Sequence, residues 1–296
     1  MTNLYTQSDS NIRRTWIYLF VFALIVIGIG WTISYFLQSQ VILWVAVILA
    51  ITLNLFSYWY SDKIVLAISK AKPIKKEDDP ELYRMVENLA ITAGLPMPRL
   101  FIMEEMQPNA FATGRDPQHG VIVVTRGLMN ILEKVELEAV LAHELAHIGN
   151  RDVLLSTIVV VLVGMIVIMT DFFFRIAFFG GGKDAKTRIF VIAIALILAI
   201  FAPLLAQMIK MAISRKREFL ADSSGGLLTR YPEGLASALE KIVSDPNPMT
   251  SANDATAHLF IASPFRGKER RSWLHKLFST HPPVEERIAK LRGLNK

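Results

Sequence analysis

The chain has 296 residues, which on length alone would suit one or two soluble domains. Apolar residues make up 52% of it and charged residues 20%, against about 25% in soluble domains; this balance excludes intrinsic disorder and favours a membrane protein. The sequence has no cysteine, which excludes disulfides and thiolate metal sites, and its net charge of +6 comes without the basic runs that bind nucleic acid.

The first long apolar block lies near the N-terminus. Residues 15–61 contain no charged side chain, which is enough length for two helices of about 20 residues that each cross a bilayer core. The polar triplet Gln38-Ser39-Gln40 predicts the turn between them, so the spans fall at Trp16–Leu37 and Val41–Tyr60. We therefore predict a transmembrane hairpin over residues 1–61.

Two further apolar blocks form a predicted second pair of spans over residues 153–209. They lie at Val153–Thr170 and Ile189–Ile209, and Pro203 in the second marks a kink of the kind that spanning helices tolerate. Lys and Arg cluster before span one and after spans two and four, which predicts that both termini are cytoplasmic. The block at Val153–Thr170 is short for a span, so a buried core helix stays open as its alternative.

Residues 62–152 are predicted to be the first part of a cytoplasmic domain. After a charged linker at Lys72–Asp79, the apolar spacing predicts, in chain order, a helix, three strands and a second helix, at Pro80–Ala93, Arg99–Met103, Asn109–Thr113, Val121–Thr125 and Glu133–Ile148. The turn residues Asp116–Gly120 predict that the last two strands form a hairpin.

Residues 210–296 are predicted to complete the same domain. They begin as a helical continuation of span four through Ser223, which is expected to end at Gly225-Gly226. Helices are predicted at Pro232–Val243 and Val284–Leu291. Ser244–Ser272 is rich in Pro, Asn, Ser and Thr and predicts a long loop of the kind that often forms a lid.

The sharpest motif is His143-Glu144-Leu145-Ala146-His147, within a predicted helix. Residues at i and i+4 project from one helix face, so the two imidazoles can hold one metal ion, and zinc suits nitrogen and carboxylate ligands. Glu144 can then reach a water on that metal. The alternative is two surface histidines beside a solvated glutamate, but the apolar flanks leave this trio partly buried, where polar groups need partners.

A catalytic zinc is expected to have a third protein ligand. Glu218 and Asp222 lie four residues apart, so Glu218 is the candidate ligand and Asp222 can accept the second N–H of a ligand histidine. An ordinary charged helix start is the alternative. Asp152 either supports the metal-binding helix or caps span three. The remaining histidines, other than His281, are assigned to the surface or to loops: His119, His258 and His275.

These residues carry a family resemblance. The chain resembles the HtpX-type membrane zinc metalloproteases, relatives of the proteases that process CAAX-prenylated proteins. The resemblance rests on HELAHIGNRD at 143–152, EFLAD at 218–222, FSTHPPVEERI at 278–288, NAFATG at 109–114 and TAHLFIASPF at 256–265. It covers essentially the whole chain.

The resemblance implies an α-helical membrane protein with four transmembrane helices and a cytoplasmic α+β gluzincin-like zinc protease domain, in a bacterial inner membrane. It implies one zinc ion per chain, with His143, His147 and Glu218 as ligands and Glu144 as the catalytic base. It also implies a role in membrane-protein quality control, with self-cleavage as a further reaction.

Two more site assignments follow from the resemblance. It places the THPP motif near the metal, so His281 is our first candidate for the oxyanion donor, with a purely structural turn histidine as the alternative. Zinc proteases commonly hold an extended substrate against an edge strand. Asn109, Ala110, Phe111 and Ala112 are therefore the candidate substrate contacts, with an ordinary sheet strand as the alternative.

The predicted function is ATP-independent hydrolysis of peptide bonds in cytoplasmic regions of misfolded or damaged membrane proteins. The metal-binding helix ends where span three begins, which keeps the site close to the bilayer. No nucleotide is expected, because the sequence lacks a P-loop. The alternatives are an inactive membrane scaffold with a structural zinc site and a transporter, although the spans carry almost none of the buried charges that a transporter needs.

Overall fold

Two long helices form an N-terminal hairpin in the computed structural model, which describes residues 4–179, 192, 215–251, 256–265 and 282–294. Helix α1 spans Leu4–Leu37 and α2 spans Gln40–Ile68. Gln38 turns the chain between them with a positive φ of 50°. Both helices are long and apolar enough to cross a membrane, as predicted.

Both helices extend past the predicted apolar limits because their polar ends pack against the rest of the chain. Asn11, near the start of α1, hydrogen-bonds to Asp152. Asp62, near the end of α2, lies 2.6 Å from Arg99 at the start of a strand. The hairpin is thus attached to the domain at both of its polar ends.

A third apolar helix, α6 (Asp152–Phe179), packs against α1 and α2. It follows α5 (Lys134–Gly149), and the axes of Lys134–Gly149 and Asp152–Ile166 differ by 80°. If that bent pair counts as one crossing, it is the third candidate span within the described residues. Of the predicted span at Ile189–Ile209, the structure describes only Ile192. The four-helix topology therefore stays a prediction.

Four strands form one mixed sheet in the order β1-β2-β4-β3. In chain order they are β1 (Lys72–Pro73), β2 (Arg99–Met103), β3 (Ala110–Thr113) and β4 (Val121–Thr125). β2 and β4 are parallel, whereas β3 and β4 form the predicted antiparallel hairpin. β1 lies in the segment predicted as a linker, where two residues are too few to give a pattern but can pair with β2.

Helices pack around this sheet. Besides α5 they are α3 (Pro80–Ala93), α4 (Arg126–Ile131), α7 (Arg215–Thr229), α8 (Pro232–Ser244) and α9 (Val284–Gly293). The core lies between the sheet and α5, whose residues Val140, Leu141 and Leu145 are fully buried. An apolar sheet face therefore fixes α5, the helix with the metal-binding motif, in place.

The glycine pair at residues 225–226 does not end a helix, contrary to the prediction, because α7 continues to Thr229. A Cβ on Gly225 would lie 3.0 Å from the backbone nitrogen of His143 and 3.2 Å from its Cα. Gly225 is thus the point where α7 crosses α5 at close range. This crossing brings the acidic residues of α7 to the histidines of α5.

Candidate active site

The two histidines of α5 point their Nε2 atoms at a common position. These atoms are 3.2 Å apart, and the rings are perpendicular. Two nitrogen ligands of a tetrahedral zinc ion, each about 2.0–2.1 Å from the metal, would lie about 3.3 Å apart. The pair formed by His143 and His147 therefore has the spacing that one zinc ion requires.

Glu218 on α7 completes the set. Its Oε1 lies 3.5 Å from Nε2 of His147, and its Oε2 lies 4.0 Å from Nε2 of His143. One ligand atom from each of the three residues falls within 4.8 Å of the others. Imidazole nitrogen and carboxylate oxygen are ordinary zinc ligands, so the donor chemistry fits as well.

A carboxylate lies beside the Nδ1 atom of His147, on the ring edge away from Nε2. This Nδ1 lies 3.1 Å from Oδ2 of Asp152, the first residue of α6, which is buried. Such a partner fixes the tautomer and ring orientation of a metal-binding histidine. The sequence left two roles open for Asp152, and in the structure it both contacts His147 and begins α6.

His143 has a matching partner on α7. Its Nδ1 lies 3.0 Å from Oδ1 of Asp222, the residue predicted to accept its N–H, but outside hydrogen-bonding geometry. Asp222 is held in turn by Arg287 of α9, whose Nε donates to Oδ2 at 2.9 Å and whose terminal nitrogen donates to Oδ1 at 2.7 Å. Burial alone would raise the pKa of Asp222, but Arg287 and His143 lower it to about 2. Arg287 lies in the 278–288 motif, but its position there did not indicate a role for it in the site.

The surroundings of the two imidazoles differ electrostatically. Burial lowers the pKa of His143 to about 4, so this ring is neutral near pH 7. For His147, burial is opposed by the hydrogen bond to Asp152 and by the charges of Glu218, Asp152 and Glu144, which together raise its pKa to about 9. This end of the site therefore favours a positive charge, which either a proton or a bound cation can supply.

A small cavity opens onto the three candidate ligands. Its walls include Glu144, Ala112 of β3, Ser156 of α6 and His258. His258, which we assigned to the surface or to loops, lies in the predicted loop but is only 3% exposed, so it is not a surface residue. In the sequence, the only indication that His258 lies near the site was its position in the 256–265 motif. His281 lies outside the described residues, and its role as oxyanion donor stays a prediction.

The candidate substrate strand β3 lies at one edge of the sheet, and residues 256–265 cover part of it. The carbonyl of Ala110 accepts a hydrogen bond from the Ile261 N–H at 2.9 Å, and the Asn109 side chain donates to the Ala262 carbonyl at 2.9 Å. Of the four predicted contacts, only Ala112 lines the cavity. The loop predicted over Ser244–Ser272 is thus anchored to the sheet in its described part.

The chain is similar to known proteins in sequence and in fold. Residues 76–295 match the profile of peptidase family M48. A "Protease HtpX homolog" of Thermoanaerobacter pseudethanolicus is 44% identical over 301 residues, covering 98% of each chain. One of Syntrophobacter fumaroxidans is 48% identical over 255 residues, covering 84% of this chain and 89% of the relative. The crystal structure of S. mikatae Ste24p matches with a TM-score of 0.51 at 19% identity, over 94% of this chain and 66% of that one, which shows similarity of fold alone.

Proposed function

The chain belongs to peptidase family M48 and is a metalloprotease, and from this premise we propose that it is a zinc endopeptidase of the HtpX type. His143, His147 and Glu218 hold one zinc ion, and Glu144 is the catalytic base. The observation that carries the proposal is the convergence of the three ligand atoms beside a cavity that Glu144 also lines.

The chemistry follows from this arrangement. Zinc bound to three protein ligands keeps one position for water and lowers the pKa of that water toward about 7. Glu144, adjacent to His143 and 2% exposed, would take the proton of a water bound there during attack on a peptide carbonyl and would pass it to the leaving amine. Asp222 and Asp152 lie beside the Nδ1 atoms of the two histidines and would keep both Nε2 atoms directed at their common position.

An extended peptide is the substrate form that the cavity accommodates best. The outward direction of the Ala110 carbonyl is set by its bond to Ile261, and peptide groups two residues apart in a strand point the same way. The N–H and C=O of Ala112 therefore face the same outer edge, beside the metal site. A substrate strand pairs there by β-addition, with Asn109, Ala110 and Phe111 as supports.

The position of the site selects the substrates. Asp152 contacts a candidate zinc ligand and also begins the apolar helix α6. We place both termini and the site on the cytoplasmic face of a bacterial inner membrane, with four spans, where cytoplasmic loops of misfolded or damaged membrane proteins reach the metal. Quality control of membrane proteins, without ATP, is the resulting role, and self-cleavage is the same reaction on the chain itself.

The alternative is an inactive scaffold with a structural zinc site. Structural sites are usually closed by four protein ligands, whereas catalytic sites keep an open position. The described residues provide a group of three ligands beside a cavity, which favours catalysis.

The deciding experiment compares purified wild type with Glu144→Gln on a model membrane substrate, with zinc content measured for both. We expect the variant to retain zinc and to lose cleavage. Equal cleavage by both proteins would contradict the assignment of Glu144. Stoichiometric zinc in both proteins with no cleavage of any substrate, including the chain itself, would support the scaffold.

A further inference from the structure

Asn11 of the N-terminal helix lies at the rear of the metal site. It is 1% exposed, and its side-chain amide donates to Oδ1 of Asp152 at 2.8 Å and to the Asn150 carbonyl at 3.2 Å. Its own Oδ1 accepts a hydrogen bond from Arg217 of α7 at 2.9 Å. One side chain of α1 therefore bonds to three segments that also carry the site.

These bonds fall on the corner that joins the metal-binding helix to α6. Asn150 is the C-cap of α5, and Asp152 is the first residue of α6. Arg151 between them has a positive φ of 56°, a conformation that is costly for any residue except glycine. Asn11 hydrogen-bonds to Asn150 and to Asp152, the residues before and after Arg151, and so stabilises the conformation of this corner.

The same bonds orient a carboxylate. Oδ1 of Asp152 accepts from Asn11, while Oδ2 lies 3.1 Å from Nδ1 of His147. Asp152 thus links α1 to a candidate zinc ligand, His147, through two successive side-chain contacts. Partners of this kind set the orientation of a metal-binding imidazole, and their loss weakens metal binding.

The chemistry of the amide suits this place. The position needs a donor toward the Asp152 carboxylate and an acceptor toward the Arg217 guanidinium, and a single amide provides both. A carboxylate here would repel Asp152, and an apolar side chain would leave buried polar groups without their partner.

We propose that Asn11 is a positioning residue of the metal site, so that the N-terminal membrane helix is part of the active site as well as an anchor. Removing its amide lets Asp152 and the ring of His147 reorient and weakens zinc binding. The inference rests on the proposed ligation of zinc by His147.

The test uses the full-length protein in detergent micelles, stripped of metal. Zinc affinity is measured by competition with a chelator, for wild type, Asn11→Ala and the control Asn54→Ala. Asn54 is a matched asparagine whose amide donates to the Leu19 carbonyl within the hairpin. We expect about a 10-fold loss of affinity for Asn11→Ala and an unchanged value for Asn54→Ala.

Two further readouts separate positioning from packing. The visible absorption of the cobalt(II)-substituted protein is expected to change in Asn11→Ala and to stay constant in Asn54→Ala. In the Asp152→Ala background, Asn11→Ala is expected to cost little further zinc affinity, because the carboxylate that links Asn11 to His147 is already absent. If Asn11→Ala does not fold, Asn11→Gln keeps the amide but shifts it by one methylene, and gives the same test with a smaller loss.

The outcomes distinguish this inference from the proposed function. Zinc binding that is equal in wild type, Asn11→Ala and Asn11→Gln, with only a lower unfolding temperature for the variants, would reduce Asn11 to a packing contact and overturn the inference while the proposed function stands. A wild type that binds no zinc would overturn both.

Discussion

Arg287 donates hydrogen bonds to both carboxylate oxygens of Asp222, although the two residues are 65 positions apart in the chain. Arg287 is completely buried and also lies 3.7 Å from Oε2 of Glu218. The last described helix therefore contributes a side chain beside the candidate metal ligands. A charge at this depth is tolerated because Asp222 and Glu218 carry the opposite charge beside it.

Replacing Arg287 by Met is expected to destabilise the protein by about 3–5 kcal/mol, because the variant leaves Asp222 as a buried carboxylate without its cation. Denaturant unfolding of the metal-free protein in micelles measures this loss. Adding Asp222→Leu should restore part of the stability, since the double variant removes both charges.

Arg292 supplies the control for that experiment, because it lies on the same helix and pairs with Glu233 and Glu240 at an exposed position. Exposed pairs contribute about 0–1 kcal/mol, so Arg292→Met should be close to wild type. Equal losses for the two arginines would show that the buried pair contributes nothing special.

Gly225→Ala is expected to weaken zinc binding and to lower stability by about 1–3 kcal/mol. Alanine would normally stabilise a helix interior by about 0.5–1 kcal/mol relative to glycine. Here its Cβ would press on the backbone of His143 and push α7 away, with Glu218 on it. Chelator competition and denaturant unfolding measure the two effects.

Gly293→Ala is the matched control, because a Cβ at that position meets nothing within 4 Å. This variant should keep its zinc affinity. If Gly225→Ala were as stable and bound zinc as tightly as wild type, close approach of the two helices would not be what the glycine provides.

The sequence revealed the parts of the site that depend on local geometry. The spacing of His143 and His147, and of Glu218 and Asp222, places each pair on one helix face wherever that helix packs. The length and the start of the metal-binding helix could also be predicted, as could the hairpin of the last two strands, because local apolar spacing and turn residues determine them.

The supporting contacts could not be predicted, because they join distant segments. Asn11 and Arg287 have no periodic signal for their partners, which only the packing of α1 and α9 brings near α5. The stop predicted at Gly225-Gly226 failed in the same way. Glycine commonly ends a helix, but here the crossing of two helices demands it.

The stability of the metal-binding helix should fall on acidification through Glu136. Burial raises the pKa of this carboxyl, but Lys241, Ser237 and the Glu133 N–H together hold it below its ordinary value of 4.5. A depressed folded pKa stabilises the protein above pH 4.5, and this contribution disappears as the pH falls through the folded value.

Unfolding free energies measured between pH 7 and pH 3 should therefore show a smaller decline for Glu136→Gln than for wild type, together with a lower value at pH 7. Glu81→Gln is the control, since Glu81 pairs with Lys134 at an exposed site. A decline in Glu136→Gln as steep as in wild type would assign the acid sensitivity to other groups.

Metal removal should destabilise the protein domain, because only the folded chain brings the ligands of α5 and α7 together. Binding to the native state alone adds about 2.7 kcal/mol when free zinc is 100 times its Kd. His147→Ala should abolish this increment, whereas His119→Ala should keep it, since His119 lies in the exposed turn and bonds to Asp116. Thermal unfolding with and without added zinc measures the increment in each variant. A zinc-dependent shift that survives in His147→Ala would place the metal elsewhere in the chain.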